Sequence, residues 1–138
     1  MLKPIGRPCP IPFERKSIIK TEWLNGNVPL KKGFFGGELT PQNISIDHIK
    51  PRSQGGRSEL SNYVLMTIEN NGKKSSDDIF YYATKENTEQ YFKAFEGIKL
   101  GKYQGEDYLK MISNTLRKLW QKSPVTKDIE MWDVLRRY

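Results

Sequence analysis

Ile44-Ser45-Ile46-Asp47-His48-Ile49, then Pro51 and Gly55-Gly56, then Asn62-Tyr63-Val64-Leu65-Met66-Thr67: this order of residues decides the fold. Over 44–49 apolar and polar residues alternate as on a half-buried strand, and Pro51 lacks the N–H that another ladder bond would need. Arg52 to Ser61 carries two consecutive glycines and little apolar content, so it reads as a loop. Asn62 to Thr67 is rich in β-forming residues and reads as the second strand. Beyond Thr67 apolar residues recur near every 3.6 positions: Ile79, Phe80, Tyr82 and Ala83, then Tyr91, Phe92 and Phe95, then Tyr108 through Trp120, then an amphipathic piece over 127–138. Gly97 to Gly105 and Ser123-Pro124 separate the later helices. The order is β, β, α and more α, an α+β chain. Its aromatic stripe from Phe80 to Trp120 has the spacing of core rather than of a base-stacking platform.

Upstream of the strands, prolines at 4, 8, 10, 12 and 29 and seven basic residues against Glu14 and Glu22 describe an extended basic arm over residues 1–36. Within it Ile18, Ile19, Trp23 and Leu24 have the spacing of a short helix packed on the body. Phe34, Phe35, Leu39, Ile44, Ile46, Ile49, Tyr63, Val64 and Leu65 are the expected core around the strands. At 138 residues the chain suits one domain, divided into the arm, a ββα core over 37–75 and a helical extension over 76–138.

Asp47 offers a carboxylate and Asn71 an amide carbonyl, hard oxygen donors that suit Mg²⁺ or Mn²⁺ with several waters retained. An ion held by so few protein groups leaves positions for phosphodiester oxygens. His48 is then placed to take a proton from an attacking water, since an ordinary imidazole is substantially neutral at pH 7. Neighbouring side chains on a regular strand point to opposite faces, so joint action of Asp47 and His48 on one phosphate requires the strand to end or distort there.

Asp47-His48-Ile49 with Pro51, Ser53, Gly55-Gly56, Asn62, Asn71 and Lys74 resembles the ββα-metal motif of HNH endonucleases. Asn62 and Asn71 lie 15 and 24 residues after Asp47, the spacing found in the HNH domains of RNA-guided CRISPR nucleases. The resemblance implies that Asp47 and Asn71 are metal ligands, that His48 is the general base, that Asn62 braces the loop between the strands and that Lys74 lies near the phosphate. Many HNH proteins flank the motif with two Cys-x-x-Cys pairs that bind zinc. The corresponding neighbourhoods here hold Gly33, Gly36, Thr67 and Asn70, so the expected cofactor is Mg²⁺ or Mn²⁺ without structural zinc.

Composition agrees with that restriction. One cysteine, Cys9, excludes a disulfide within the chain and, with one histidine, leaves too few ligands for a four-ligand zinc site. Cys9 has no basic partner that would activate it and is read as inert. The longest local apolar run, Ile79 to Ala83, is five residues, so no membrane partner is expected. The proline-broken start does not resemble a signal peptide, which leaves the cytoplasm as the expected location.

A formal net charge of +7 makes a polyanion the first partner to consider. Lys50, Arg52 and Arg57 beside the loop, with Lys73 and Lys74 opening the following helix, are the candidates for gripping phosphate. The expected activity is hydrolysis of duplex DNA. A monomer would nick and a homodimer would break both strands, while a protein partner would supply sequence specificity. A phage, mobile-element or defence setting fits a chain of this size. The alternatives are a nucleic-acid-binding or assembly factor of the phage-packaging kind that does not depend on cutting, and an RNA-directed nuclease toxin.

Overall fold

The computed structural model describes residues 18–98, 100, 107–124 and 129–138. Cys9, the proline-rich residues 1–17, much of the Gly97 to Gly105 linker and the start of the last amphipathic piece lie outside the described residues. Residues 18–24 are helical (α1). They are followed by β1 (Ile44–His48), β2 (Tyr63–Thr67), α2 (Ile68–Lys74), α3 (Lys85–Phe95), α4 (Tyr108–Lys122) and α5 (Ile129–Arg137). The architecture is mixed helix and strand, with one antiparallel pair of strands enclosed by helices.

The strand pair is regular. Ile44 faces Thr67, Ile46 faces Leu65, Asp47 faces Val64 and His48 faces Tyr63. All five β2 residues are buried, whereas β1 mixes buried and half-buried positions, so β2 is the inner strand. An inner strand must satisfy the edge that does not face its partner. Here the Phe34 N–H donates to the Leu65 carbonyl at 3.0 Å. The Leu65 N–H donates to the Tyr91 hydroxyl at 3.0 Å, and the Tyr108 hydroxyl donates to the Tyr63 carbonyl at 2.6 Å. With the Tyr108 proton so committed, the Tyr91 hydroxyl, 2.8 Å away, donates to the Tyr108 oxygen. Burial is the largest cause holding both phenols above the ordinary tyrosine range, so they remain neutral donors. Gly33 permits the close approach of residues 33–34, because a Cβ there would stand 2.7 Å from the Met66 Cα.

Ile19, Val28, Leu30 and Phe34 are buried in the common core, so residues 18–36 are body rather than an extended arm. Their apolar side chains outweigh the prolines and lysines between them. Trp23 adds an indole N–H bond of 2.7 Å to the Leu30 carbonyl, which fixes the turn after α1. Of the residues expected to surround the strands, Phe35 and Ile46 are only half-buried and the others are enclosed.

Two helix boundaries differ from the periodicity. The helix after β2 begins at Ile68 at once, because the Thr67 side chain accepts from the Asn70 N–H at 3.1 Å and caps it. Lys73 and Lys74 therefore close this helix instead of opening it, where their charge suits its C-terminal dipole. Ile79 to Ala83 forms only a 3-10 turn, Ile79–Tyr81. Asp78 caps that turn and Thr84 caps α3, so two start signals six residues apart leave no room for a full helix. The stripe from Phe80 to Trp120 lies largely in the core, although Tyr81 and Tyr82 reach the surface. No helix among the described residues is long and apolar enough to cross a membrane.

Candidate active site

The strand order places β1 beneath α2, and two rungs join them. Asn71 donates from Nδ2 to the Ser45 hydroxyl at 2.8 Å. Lys74 places Nζ 3.0 Å from Asp47 Oδ2. Ser45 and Asp47 are two apart on one strand face, and Asn71 and Lys74 are three apart on one helix face, so all four line a single seam. Asp47 and Asn71 are thus brought together on that seam.

Asp47 is 8 % exposed and Lys74 is fully enclosed. Lys74 also donates to the His48 carbonyl at 3.1 Å, so its ammonium sits at the outer edge of β1, between the carboxylate and the main chain. The approach to Asp47 Oδ2 is a charge contact outside hydrogen-bond alignment, and that oxygen has no aligned hydrogen-bond partner. Burial is the largest influence on Asp47 and holds its carboxyl above the ordinary range, and Lys74 opposes the shift without cancelling it. The resemblance puts Lys74 near the phosphate; here its ammonium is enclosed and its charge balances Asp47.

His48 leaves the strand on the other side. Its ring meets Tyr63 edge-on, with centroids 5.1 Å apart, and its Nε2 lies 3.3 Å from the Ser58 hydroxyl. The pairing continues regularly through His48 opposite Tyr63, so β1 ends there without distortion. A ligand common to Asp47 and His48 must therefore reach round the edge of β1, where the His48 carbonyl and Lys74 already meet.

Asn62 holds the loop. It is buried, its Oδ1 accepts from the Lys50 N–H at 2.8 Å, and its Nδ2 donates to the carbonyls of Lys50 at 3.0 Å and Arg57 at 2.9 Å. Both glycines of the loop answer to the same tightness. Gly55 has φ +89°, and a Cβ on Gly56 would fall 1.8 Å from the Lys50 carbonyl oxygen. Arg52, Arg57 and Lys73 are exposed and Lys50 is half-buried, so these four remain accessible to a polyanion.

No family model, curated protein or solved structure matches the chain. The resemblance to HNH endonucleases therefore rests on the sequence motif alone.

The donor set suits a small hard cation. Asp47 presents a buried oxygen without an aligned donor and Ser45 ties the Asn71 amide nitrogen, whereas the Lys74 ammonium 3.0 Å from Asp47 Oδ2 competes with a metal for that oxygen. No cluster of three or more His, Cys, Asp or Glu side chains occurs among the described residues, so any metal would rely on the amide and water. The sequence offers Tyr63 only as core and does not mark Ser45 or Ser58 as site residues. The position of Ser45 two before Asp47, on the same strand face, was the available signal.

Proposed function

We propose that this chain is a divalent-metal-dependent endonuclease of the HNH kind that hydrolyses phosphodiester bonds in DNA. The observation that carries the reading is the seam, where Asp47 lies buried under the helix that bears Asn71, directly beside His48 at the end of β1. Asp47 and Asn71 would hold Mg²⁺ or Mn²⁺, which when bound supplies positive charge to the phosphodiester oxygens. The chain's own part is to remove a proton and to position. His48, half-exposed and steadied by Tyr63 and Ser58, takes the proton of the water that attacks phosphorus. Asn62 keeps the loop beside it in one shape, and Ser45 orients Asn71. By the family resemblance the products carry 5′-phosphate and 3′-hydroxyl ends.

One observation favours a second reading, a nucleic-acid-binding factor that does not cut. Asp47 is already matched by an internal cation, Lys74. Supercoiled plasmid incubated with Mg²⁺, Mn²⁺ or chelator separates the two, with His48→Ala in parallel. Nicked or linear product that needs both metal and His48 is the expected result, and the same assay on single-stranded DNA and RNA defines the substrate. Salt-sensitive binding with no conversion in any metal would refute the enzyme and leave the binding factor.

A further inference from the structure

We propose that the groove between the β1–β2 loop and α4 is a binding track for the phosphate backbone of the nucleic acid, built on the same loop that carries Ser58 against His48. The track rests on the nucleic-acid reading given above and extends it to a helix outside the ββα core. The groove has a volume of about 230 Å³. Lys50 and Arg57 stand on its loop wall and Lys118 and Lys122 on its helix wall. Among the described residues none of these four cations is engaged in an ion pair, unlike Lys74, Arg136 and Arg137, which each have a carboxylate partner. Glu59 is the one acidic residue among the described residues on the lining. Four cations against one carboxylate leave the space net positive, and a polyanion relieves their mutual repulsion while releasing its own counterions.

The walls are fixed before any ligand arrives. Asn62, itself on the lining, holds the backbones of Lys50 and Arg57 through the bonds already described. On the far side the Thr115 hydroxyl donates to the Ser61 carbonyl at 2.7 Å, which ties α4 to the loop. Lys118 and Lys122 are one helical turn apart, about 6 Å along the axis, and present two charges in line. Arg57 and Glu59, both on the lining, flank Ser58, whose hydroxyl meets His48 Nε2, so one loop segment serves both the groove and the proposed base. Such a rigid row of cations grips phosphates, contacts that fix position and carry no sequence information.

The test is binding of a fluorescein-labelled DNA duplex in EDTA, followed by anisotropy over a range of salt. Lys118→Gln/Lys122→Gln keeps good helix formers at exposed positions, and Lys85→Gln/Lys93→Gln removes the same charge from α3, outside the groove. The groove pair is expected to weaken binding about 10-fold at moderate salt and to lower the slope of log affinity against log salt by about 2, with the α3 pair changing affinity less than about 2-fold. Equal losses from the two pairs would overturn the track in favour of overall charge, and so would the absence of salt-sensitive binding by the unaltered protein. Because no cleavage is read, loss of affinity specific to the groove pair supports the track even if the plasmid assay refutes the nuclease.

Discussion

Removing one partner of the Asp47–Lys74 pair is expected to damage the fold far more than removing both. The Lys74 side chain is 1 % exposed and that of Asp47 is 11 % exposed, so loss of either leaves a charge with little access to water. Breaking a buried pair in this way costs about 3 to 5 kcal/mol, whereas replacing both charges by uncharged groups of similar size is often neutral or stabilising. For 138 residues the entropy of unfolding near the midpoint is about 0.3 kcal/mol/K, so a loss of about 3 kcal/mol lowers Tm by about 10 °C. Asp47→Asn and Lys74→Met should each show a drop of that order at pH 7, and the double variant should return close to the unaltered protein. The pH dependence has a definite sign. Burial raises the folded-state carboxyl of Asp47 above its unfolded value. Its contribution to stability is therefore complete below the unfolded value and is lost as pH rises through the folded one. In Lys74→Met the raised carboxyl can take up its proton on acidification, so the defect of that variant should shrink as pH falls toward the ordinary carboxylate range, while that of Asp47→Asn should not. Urea unfolding at pH 7 and pH 5 measures all of this. Single losses below about 1 kcal/mol that simply add in the double variant would refute the view that the pair is sealed and interdependent.

Three further outcomes follow from the packing. Asn62→Ala should cost about 2 to 4 kcal/mol, measured by urea unfolding, because the backbone groups of Lys50 and Arg57 lose their partners together. Tyr108→Phe should cost about 1 to 3 kcal/mol, since the Tyr63 carbonyl and the Tyr91 hydroxyl are left inside without their mate, and hydrogen exchange at Leu65 should quicken with it. Gly56→Ala should cost about 2 to 3 kcal/mol by thermal unfolding, because the Lys50 carbonyl occupies the place of the new methyl group.

The strand pair was legible because its signals are local: alternation along 44–48, a proline just beyond and two glycines in the loop. Asn62 was legible as a brace only through the family resemblance, and its three bonds to Lys50 and Arg57 hold the loop. The early start of α2 was not legible, since Thr67 reads as one more β-former until its hydroxyl is seen to cap, and among the weak helix formers Asn70, Asn71 and Gly72 two are held by bonds to Gly36 and Ser45. The enclosure of Lys74 runs against the usual exposure of lysine and depends on an aspartate 27 positions earlier in the chain. The tyrosine pair shows the same limit. Periodicity places Tyr91 and Tyr108 inside, but the groups their hydroxyls serve lie 26 and 45 residues away. Lys118 and Lys122 look like any solvated helix face until the loop is folded opposite them.

The closure of the outer edge of β2 has a consequence for how this molecule can be cut apart. Residues 44–74 carry the whole of the proposed chemistry, yet the edge of their inner strand is completed by a backbone N–H from residue 34 and by hydroxyls from α3 and α4. A peptide ending after α2 would present a bare, largely apolar β-edge, which is a template for stacking with other copies. The minimal portable unit therefore runs at least from Gly33 through α4. Any graft of the candidate site into another scaffold must bring two tyrosines with it.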